Sequence, residues 1–315
     1  MDLKPTPTPL FFTNNDPQDP RLGEWATAAP FATKNEAHHF QVLGFPDDEG
    51  ISLNGGRPGA CEAPDRIRKY FYKMTPEASN LQKFSIEDIG NMSLEGTLAD
   101  RHERGRNIIF KLAQKKQYWI SLGGGHDYGY CDTTGFLQAC KDHKPLIVNF
   151  DAHLDVRSTE KGFNSGTPFY RLVNEYGSQC TFVEIGLQPQ CNSPHHARWL
   201  QERGGKILWR DQITEEGVEE ALQQLVPLTI HPAFISVDID ALSSAIAPGC
   251  SQSWGSGLEW KEFIRAFDFL IESFDVRGLG IYEVSPVLDR DDQTSKLAAV
   301  IMHRFIFQTL KKSSL

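Results

Sequence analysis

Short apolar runs alternate with amphipathic stretches along most of the chain. The runs cover residues 40–45, 84–89, 118–122, 146–150, 180–187, 206–209, 232–237 and 276–282. Such runs are typical of buried strands in a parallel sheet. The stretches between them predict helices opening at Pro64 and at 97–116, 132–141, 167–176, 195–202, 214–225, 259–274 and 291–311. This alternation predicts one largely parallel α/β sheet with helices on both faces.

The domain organisation predicted from this pattern is simple. Residues 1–35 form a proline-rich N-terminal arm, and residues 36–315 form a single catalytic domain without an internal repeat or a dividing linker. The glycine- and proline-rich segment 46–59 is predicted to be a loop at a strand end. The adjacent pairs His38–His39 and His195–His196 follow no strand end, and we interpret them as surface residues.

Composition excludes several classes of partner. The net charge is -9 and no basic stripe is present, which argues against nucleic acid as a partner. No apolar run approaches the roughly 18 residues of a membrane span, and the first residues do not resemble a signal peptide. The six cysteines show no CxxC spacing, so we expect free thiols in the cytoplasm. A redox role for Cys250 and a homo-oligomeric state stay open.

Polar side chains that could bind a metal follow several of the predicted strands. The stretch PLIVNFDAHLDVR places alternate polar residues directly after a buried run, and in an extended chain alternate side chains point to the same side. Because the carboxyl ends of parallel strands share one edge, distant residues can meet in one crevice there. The candidates are His126 in GGGHD; Asp151, His153 and Asp155 in DAHLD; Asp238 and Asp240 in SVDID; and Glu283 after the last strand.

The composition of this set indicates a metal centre. Two histidines and four aspartates exceed what one small cation needs, and they suit two divalent ions that share carboxylates. Manganese fits a set without cysteine best, with iron, zinc, nickel or cobalt as alternatives. Two such ions about 3.5–4 Å apart activate water, so the chemistry indicated is hydrolysis. Glu283 is expected to pair with cationic nitrogens of the substrate.

With these motifs in order, the sequence resembles the ureohydrolase family, which includes arginase, agmatinase, guanidinobutyrase and formimidoylglutamase. The resemblance implies an arginase-type three-layer α/β/α fold with eight parallel strands. It also implies two Mn²⁺ ions, held by the two histidines and four aspartates named above. From the family pattern, Asp155 would be catalytic as well, because it passes a proton to the leaving amine.

Three stretches resemble the formimidoylglutamase branch in particular. These are DEGISLNGGRPGACEAPDRIR, the DVR that contains Arg157, and NSGTPFY, where Phe169 stands at or near the His-Gly of arginases and agmatinases. This resemblance implies hydrolysis of N-formimidoyl-L-glutamate to L-glutamate and formamide. Arg157 is the main candidate for binding a substrate carboxylate, and Asn54 and Arg57 are further candidates.

Two alternatives stay open at this stage. The chain could hydrolyse a guanidino compound such as arginine, agmatine or guanidinobutyrate, or it could be a metal-binding homologue without activity. The sequence also departs from the family pattern: Ser243 and Ser244 replace an aspartate and a proline, and CSQSWGSGL replaces a GTGTP-like segment near the expected pocket. These departures affect the substrate assignment more than the metal assignment.

Overall fold

Ten strands form one sheet in the computed structural model, which describes residues 2–28, 38–77, 84–115, 117–140, 143–214, 217–226, 228 and 232–313. The strands are β1 Leu3–Lys4, β2 Ala26–Ala28, β3 His38–Phe45, β4 Phe84–Met92, β5 Tyr118–Gly123, β6 Leu146–Phe150, β7 Thr181–Leu187, β8 Lys206–Trp209, β9 Pro232–Asp238 and β10 Asp275–Tyr282. Their spatial order is β1-β4-β3-β5-β10-β9-β6-β7-β8, with β2 also beside β4.

The eight strands from β4 to β8 in this order are all parallel. They coincide with the eight apolar runs, so the predicted arginase-type sheet is confirmed. The strand order in the sheet reverses at β10, which lies between β5 and β9 although it is the last strand of the chain. Crevices at such reversals, beyond the carboxyl ends of the strands, are where open α/β sheets bind ligands.

Ten α-helices accompany the sheet in the described part of the chain. They are α1 Leu22–Trp25, α2 Glu49–Leu53, α3 Ala63–Phe71, α4 Leu98–Gln114, α5 Gly129–Ala139, α6 Pro168–Tyr176, α7 Pro194–Glu202, α8 Val218–Leu225, α9 Trp260–Ser273 and α10 Gln293–Lys312. Helices α3, α8, α9 and α10 pack on one face of the sheet. Helices α4 to α7 pack on the other, which gives three layers.

Strand β6 shows why the runs are continuously apolar. Val148 and Phe150 point into the core beneath α9 and α10, and Ile147 points into the core on the opposite face. All three are at most 1% exposed. A strand covered by helices on both faces has no solvent side, so its apolar residues do not alternate with solvated ones.

The described part of the N-terminal arm packs on the sheet edge. Strand β1 pairs antiparallel with β4, and β2 pairs parallel with it. The Thr6 hydroxyl donates to Asp88 at 2.7 Å, and Leu22 is fully buried. The expected boundary near residue 35 lies among residues 29–37, outside the described residues, and stays a prediction.

Two local expectations are wrong. The segment expected to be a loop contains α2, in which Gly50 packs so closely on Asp127 that a Cβ would lie 2.3 Å from its carboxylate. His39 is not a surface residue: it is 1% exposed and lies 2.6 Å from the Ser85 hydroxyl and 3.0 Å from the Glu87 carboxylate. Among the described helices, none combines the length and apolar character needed to cross a membrane.

Candidate metal centre

Four neighbouring strands carry the candidate residues to one edge of the sheet. In the order β5-β10-β9-β6, each strand is parallel to its neighbours and ends at a similar level. In register, Tyr282 at the end of β10 faces Asp238 at the end of β9, and Val237 faces Phe150 at the end of β6. The residues that directly follow these strands therefore meet in one crevice.

One cluster at this edge contains one imidazole and three carboxylates. His126 Nδ1 lies 3.1 Å from Asp151 Oδ2, 3.2 Å from Asp155 Oδ2 and 3.1 Å from Asp238 Oδ2. All four side chains are buried or nearly so, and each can offer one ligand atom to a shared metal ion.

A second cluster adjoins the first and shares Asp151 with it. His153 Nδ1 lies 3.5 Å from Asp151 Oδ1 and 3.1 Å from Asp240 Oδ2. These three residues can also hold a metal ion. Asp151 thus presents Oδ2 to one cluster and Oδ1 to the other, which is the arrangement of a carboxylate that bridges two cations. All six residues predicted as metal ligands lie in the two clusters.

The environment of His126 fits a cation. Its Nε2 lies 2.9 Å from the Ser236 hydroxyl, so an N–H there can be satisfied. Its buried Nδ1 has no hydrogen-bond partner in the described part of the chain, although three carboxylate oxygens surround it. Three carboxylates and an unprotonated imidazole nitrogen that face one point need a positive charge between them, and a divalent cation would supply it.

Buried negative charge reinforces this conclusion. Burial and the neighbouring charge of Asp151 raise the pKa of Asp155 to about 6. Burial and the charge of Asp240 raise the pKa of Asp238 above its ordinary value. Both shifts show that the carboxylates oppose ionisation in the absence of metal, and a bound divalent cation would offset that cost.

The backbone brings Asp155 to the site in a way that alternation did not predict. Asp155 has a φ of +48°, so the chain is not extended through DAHLDVR. The Phe169 N–H donates to the Asp155 carbonyl at 3.2 Å and holds this turn. We expected the side chains of Asp151, His153, Asp155 and Arg157 to lie on one side because the chain would continue as an extended strand. That explanation is wrong, because the chain turns at Asp155.

Gly124 permits the close packing that carries His126 to the edge. A Cβ at this position would lie 1.9 Å from the Asp47 carbonyl oxygen, which no other residue type could accommodate without a backbone shift. The Gly124 carbonyl in turn accepts the Glu283 N–H at 2.8 Å. The glycine-rich motif thus joins the ends of β5 and β10.

Glu283 lies at the wall of the cavity above the two clusters. It has a φ of +63°, is 6% exposed, and its Oε1 accepts the His126 N–H at 3.0 Å. Burial, followed by the charge of Asp238, raises its pKa well above its ordinary value. A buried carboxylate aimed into a cavity is suited to binding a cationic group.

A cavity of about 220 Å³ leads from the clusters to the surface. Arg157 and Asn54 both line it, and Arg157 Nη1 donates to Asn54 Oδ1 at 2.6 Å. Asn54 Nδ2 donates to the Ser165 hydroxyl at 3.1 Å. The guanidinium is exposed to solvent, so it remains available to a ligand that enters the cavity.

Arg57 has a different environment from the other two candidates. Its Nε and Nη2 donate to the Ser251 carbonyl at 3.1 and 2.8 Å, and Nη2 also donates to the Cys250 carbonyl at 3.1 Å. The described cavity lining contains Arg157 and Asn54 but not Arg57. This geometry favours a contact that fixes two loops, and a role of Arg57 in substrate binding stays a prediction.

Sequence reasoning missed several cavity residues. Ser165, Cys191 and Gln252 line the cavity. The segment CSQSWGSGL, expected near the pocket, contains Gln252 and also Trp254, which lines the cavity and is 42% exposed, whereas no pattern around Cys191 indicates its position. Phe169, expected at or near the His-Gly of arginases and agmatinases, is fully buried with its ring 5.2 Å from that of His126, and it is not among the described residues that line the cavity.

The fold and the donor arrangement define an α/β protein with a candidate centre for two divalent cations. The chain belongs to the Arginase family, whose model matches residues 38–308. It is 30% identical to the formimidoylglutamase of Clostridium tetani over 284 residues, 85% of this chain and 82% of that protein. It is 29% identical to the formimidoylglutamase of Staphylococcus carnosus over 269 residues, 84% and 85% of the two chains.

Solved structures agree with this family. The structure is similar to Trypanosoma cruzi formiminoglutamase with Mn²⁺₂, with a TM-score of 0.81, 26% identity, and coverage of 93% of this chain and 99% of that one. Formimidoylglutamase from Bacillus subtilis superposes with a TM-score of 0.83 over 95% and 94% of the chains. At 24% identity, the latter comparison supports the fold alone.

Proposed function

We propose that this protein is a manganese-dependent formimidoylglutamase, which hydrolyses N-formimidoyl-L-glutamate to L-glutamate and formamide. The observation that carries the proposal is the pair of clusters sharing Asp151, with Arg157 and Asn54 on the cavity that leads to them. The names of the sequence relatives support the substrate.

The donors support manganese. Carboxylate and imidazole ligands without a thiolate suit this ion, and the T. cruzi relative is described with Mn²⁺₂. His126, Asp151, Asp155 and Asp238 would hold one ion, and Asp151, His153 and Asp240 the other. When bound, the two ions supply Lewis-acid activation of water at neutral pH.

The six cysteines are free, which supports a reducing cytoplasmic location.

Glu283 would orient the reactive group. The formimidoyl group is a planar amidine that carries positive charge when protonated, and the buried Glu283 carboxylate can accept hydrogen bonds from its nitrogens. The hydrogen bond from the His126 backbone fixes Glu283 Oε1, which leaves Oε2 for the substrate. This contact would hold the amidine carbon over the clusters in a fixed orientation.

Asp155 would transfer a proton from the water to the leaving nitrogen. Water adds to the formimidoyl carbon, the bond from that carbon to the glutamate nitrogen breaks, and a proton from the water must reach that nitrogen. Asp155 lies at the edge of its cluster, where its side chain remains 13% exposed towards the cavity. A carboxylate that faces the cavity beside the reacting carbon can accept this proton and return it to the leaving nitrogen.

Arg157 and Asn54 would bind the tail of the substrate. N-formimidoyl-L-glutamate carries two carboxylates, and a guanidinium binds a carboxylate through two parallel hydrogen bonds. Agmatine and guanidine offer no carboxylate, so they would leave Arg157 without a ligand.

A substrate panel tests the proposal. Protein reconstituted with Mn²⁺ is assayed with N-formimidoyl-L-glutamate, arginine, agmatine, guanidinobutyrate and guanidine, and the products are identified by NMR. We expect formamide and glutamate in equal amounts, with far lower kcat/KM for every guanidino compound. The Asp151→Ala variant, prepared in parallel, controls for contaminating activity. Urea formation at a comparable or higher kcat/KM would contradict the assignment.

A further inference from the structure

Asn149 lies directly beneath the shared carboxylate. It is the penultimate residue of β6, is fully buried, and points to the face covered by α4 to α7, like Ile147 two residues earlier. Its Nδ2 lies 3.2 Å from Asp151 Oδ2. The same nitrogen lies 2.8 Å from Oε2 of Glu184, which is also fully buried.

Glu184 is the register partner of Asn149 on β7, so the sheet itself sets their separation. On the other side of Asn149, the register partner on β9 is Ser236, whose hydroxyl contacts His126 Nε2. Three neighbouring strands therefore carry a polar row one level below the site. Members of this row contact one histidine and one aspartate of the clusters.

The hydrogen-bond pattern fixes the orientation of the Asn149 amide. The NH₂ group has two hydrogens, and two carboxylates accept from that end. In the reversed orientation, Oδ1 would face two carboxylate oxygens, and the NH₂ would occupy a place where Oδ1 finds no partner in the described part of the chain. Glu184 Oε2 can accept in either protonation state, so the orientation does not depend on the charge of Glu184.

We propose that Asn149, oriented by Glu184, is a positioning residue for Asp151, the carboxylate common to both clusters. The His153 N–H holds Asp151 Oδ1 at 2.7 Å, and the Asn149 amide holds Oδ2, so both oxygens are fixed. A rotation of this one carboxylate would withdraw an oxygen from each cluster at once. The inference rests on the proposed two-metal centre and adds the residues that preorganise it.

The test compares two variants with a matched control. Glu184→Gln allows the Asn149 amide to turn, because a glutamine can accept or donate towards it. The double variant Asn149→Leu, Glu184→Met replaces both partners by apolar side chains of similar size, which avoids leaving one polar group stranded in the core. Glu87→Gln is the control: Glu87 is a fully buried carboxylate on β4 that accepts from Gln41 on the adjacent β3.

The control residues Gln41 and Glu87 lie far from Asn149 and Glu184 along the sheet, because β5, β10 and β9 separate β3 from β6. Mn²⁺ bound per chain is measured by elemental analysis after equilibration at graded free Mn²⁺, together with the thermal midpoint of each metal-free protein. We expect Glu184→Gln and the double variant to need roughly 10- to 100-fold more Mn²⁺ for half-occupancy. At saturating Mn²⁺, kcat should fall while KM stays near that of the parent, because no contact to the substrate tail changes.

The outcomes separate this inference from the proposed function. If the parent binds fewer than two Mn²⁺ ions, the proposed function fails before any variant is considered. If the parent binds two and Glu184→Gln retains them with less than a threefold change, the positioning role is overturned. An equal weakening of Mn²⁺ binding by Glu87→Gln would also overturn it, because the effect would then follow from any buried carboxylate. Should the double variant not fold, Glu184→Gln alone decides.

Discussion

Replacing Arg157 by alanine should impair substrate binding and leave the fold intact. The side chain is exposed, and its contact with Asn54 Oδ1 is the hydrogen bond that the substitution removes. The backbone N–H of Arg157 donates to the Gly166 carbonyl at 2.8 Å, and this bond survives in the variant. Exposed substitutions of this kind usually change stability by no more than about 0.5 kcal/mol.

The loss of binding can be worked out from the contact proposed for the substrate. A hydrogen bond to a charged group contributes about 1.5–3 kcal/mol net. Since about 1.4 kcal/mol corresponds to a tenfold change, kcat/KM for N-formimidoyl-L-glutamate should fall by roughly 10- to 150-fold. Arg157 contacts the tail and not the reacting carbon, so most of the loss should appear as a higher KM.

The assay is steady-state kinetics with Mn²⁺-loaded protein, accompanied by metal analysis. Lys161→Ala is the matched control, because Lys161 is a cation on the same loop that lies beside a neighbouring cleft and not on the metal-site cavity. Both variants should retain the metal content of the parent. A change in kcat/KM of less than about threefold in Arg157→Ala, or an equal loss in Lys161→Ala, would refute the reasoning.

Three further predictions concern buried groups. Phe169→Ala should lower the free energy of unfolding by about 3–5 kcal/mol in urea titrations, because the ring is fully buried; a loss below about 1 kcal/mol would contradict this packing role. Burial raises the pKa of Asp132 from 3.8 to about 6, so its stabilising contribution is present below about pH 4 and is lost as pH rises through 6. The stability of Asp132→Asn relative to the parent should therefore increase by about 2 kcal/mol between pH 4 and 7, and a constant difference would argue against the shift. Burial also raises the pKa of Cys250, so peptide mapping should find iodoacetamide labelling there far slower than in the urea-unfolded chain, and comparable rates would show an accessible thiol.

The strand-end residues could be predicted because two simple rules act together. Apolar runs locate buried parallel strands, and parallel strands bring their carboxyl ends to one edge. Asp151 and Asp238 directly follow two such runs, His126 follows a third after three glycines, and the structure brings the three residues together. No knowledge of long-range side-chain contacts is needed for this step.

Other features depend on contacts that a linear pattern does not contain. Asp155 reaches its cluster through a positive φ, which the hydrogen bond from the Phe169 backbone supports. His39 is buried because β4 pairs beside β3 and supplies Ser85 and Glu87 as partners. Arg57 meets carbonyl groups nearly two hundred residues away in the chain. Each of these depends on tertiary packing.

A titration of the metal-free protein with Mn²⁺ tests the two-cation centre most directly. Bound metal is determined by elemental analysis, and EPR spectra are recorded at each point, since two Mn²⁺ ions that share the Asp151 carboxylate should be magnetically coupled. We expect saturation at two Mn²⁺ ions per chain, a coupled spectrum, and hydrolysis of N-formimidoyl-L-glutamate that rises with the doubly occupied form. Saturation at one ion per chain with full activity, or two ions without coupling, would contradict a centre built around the shared Asp151.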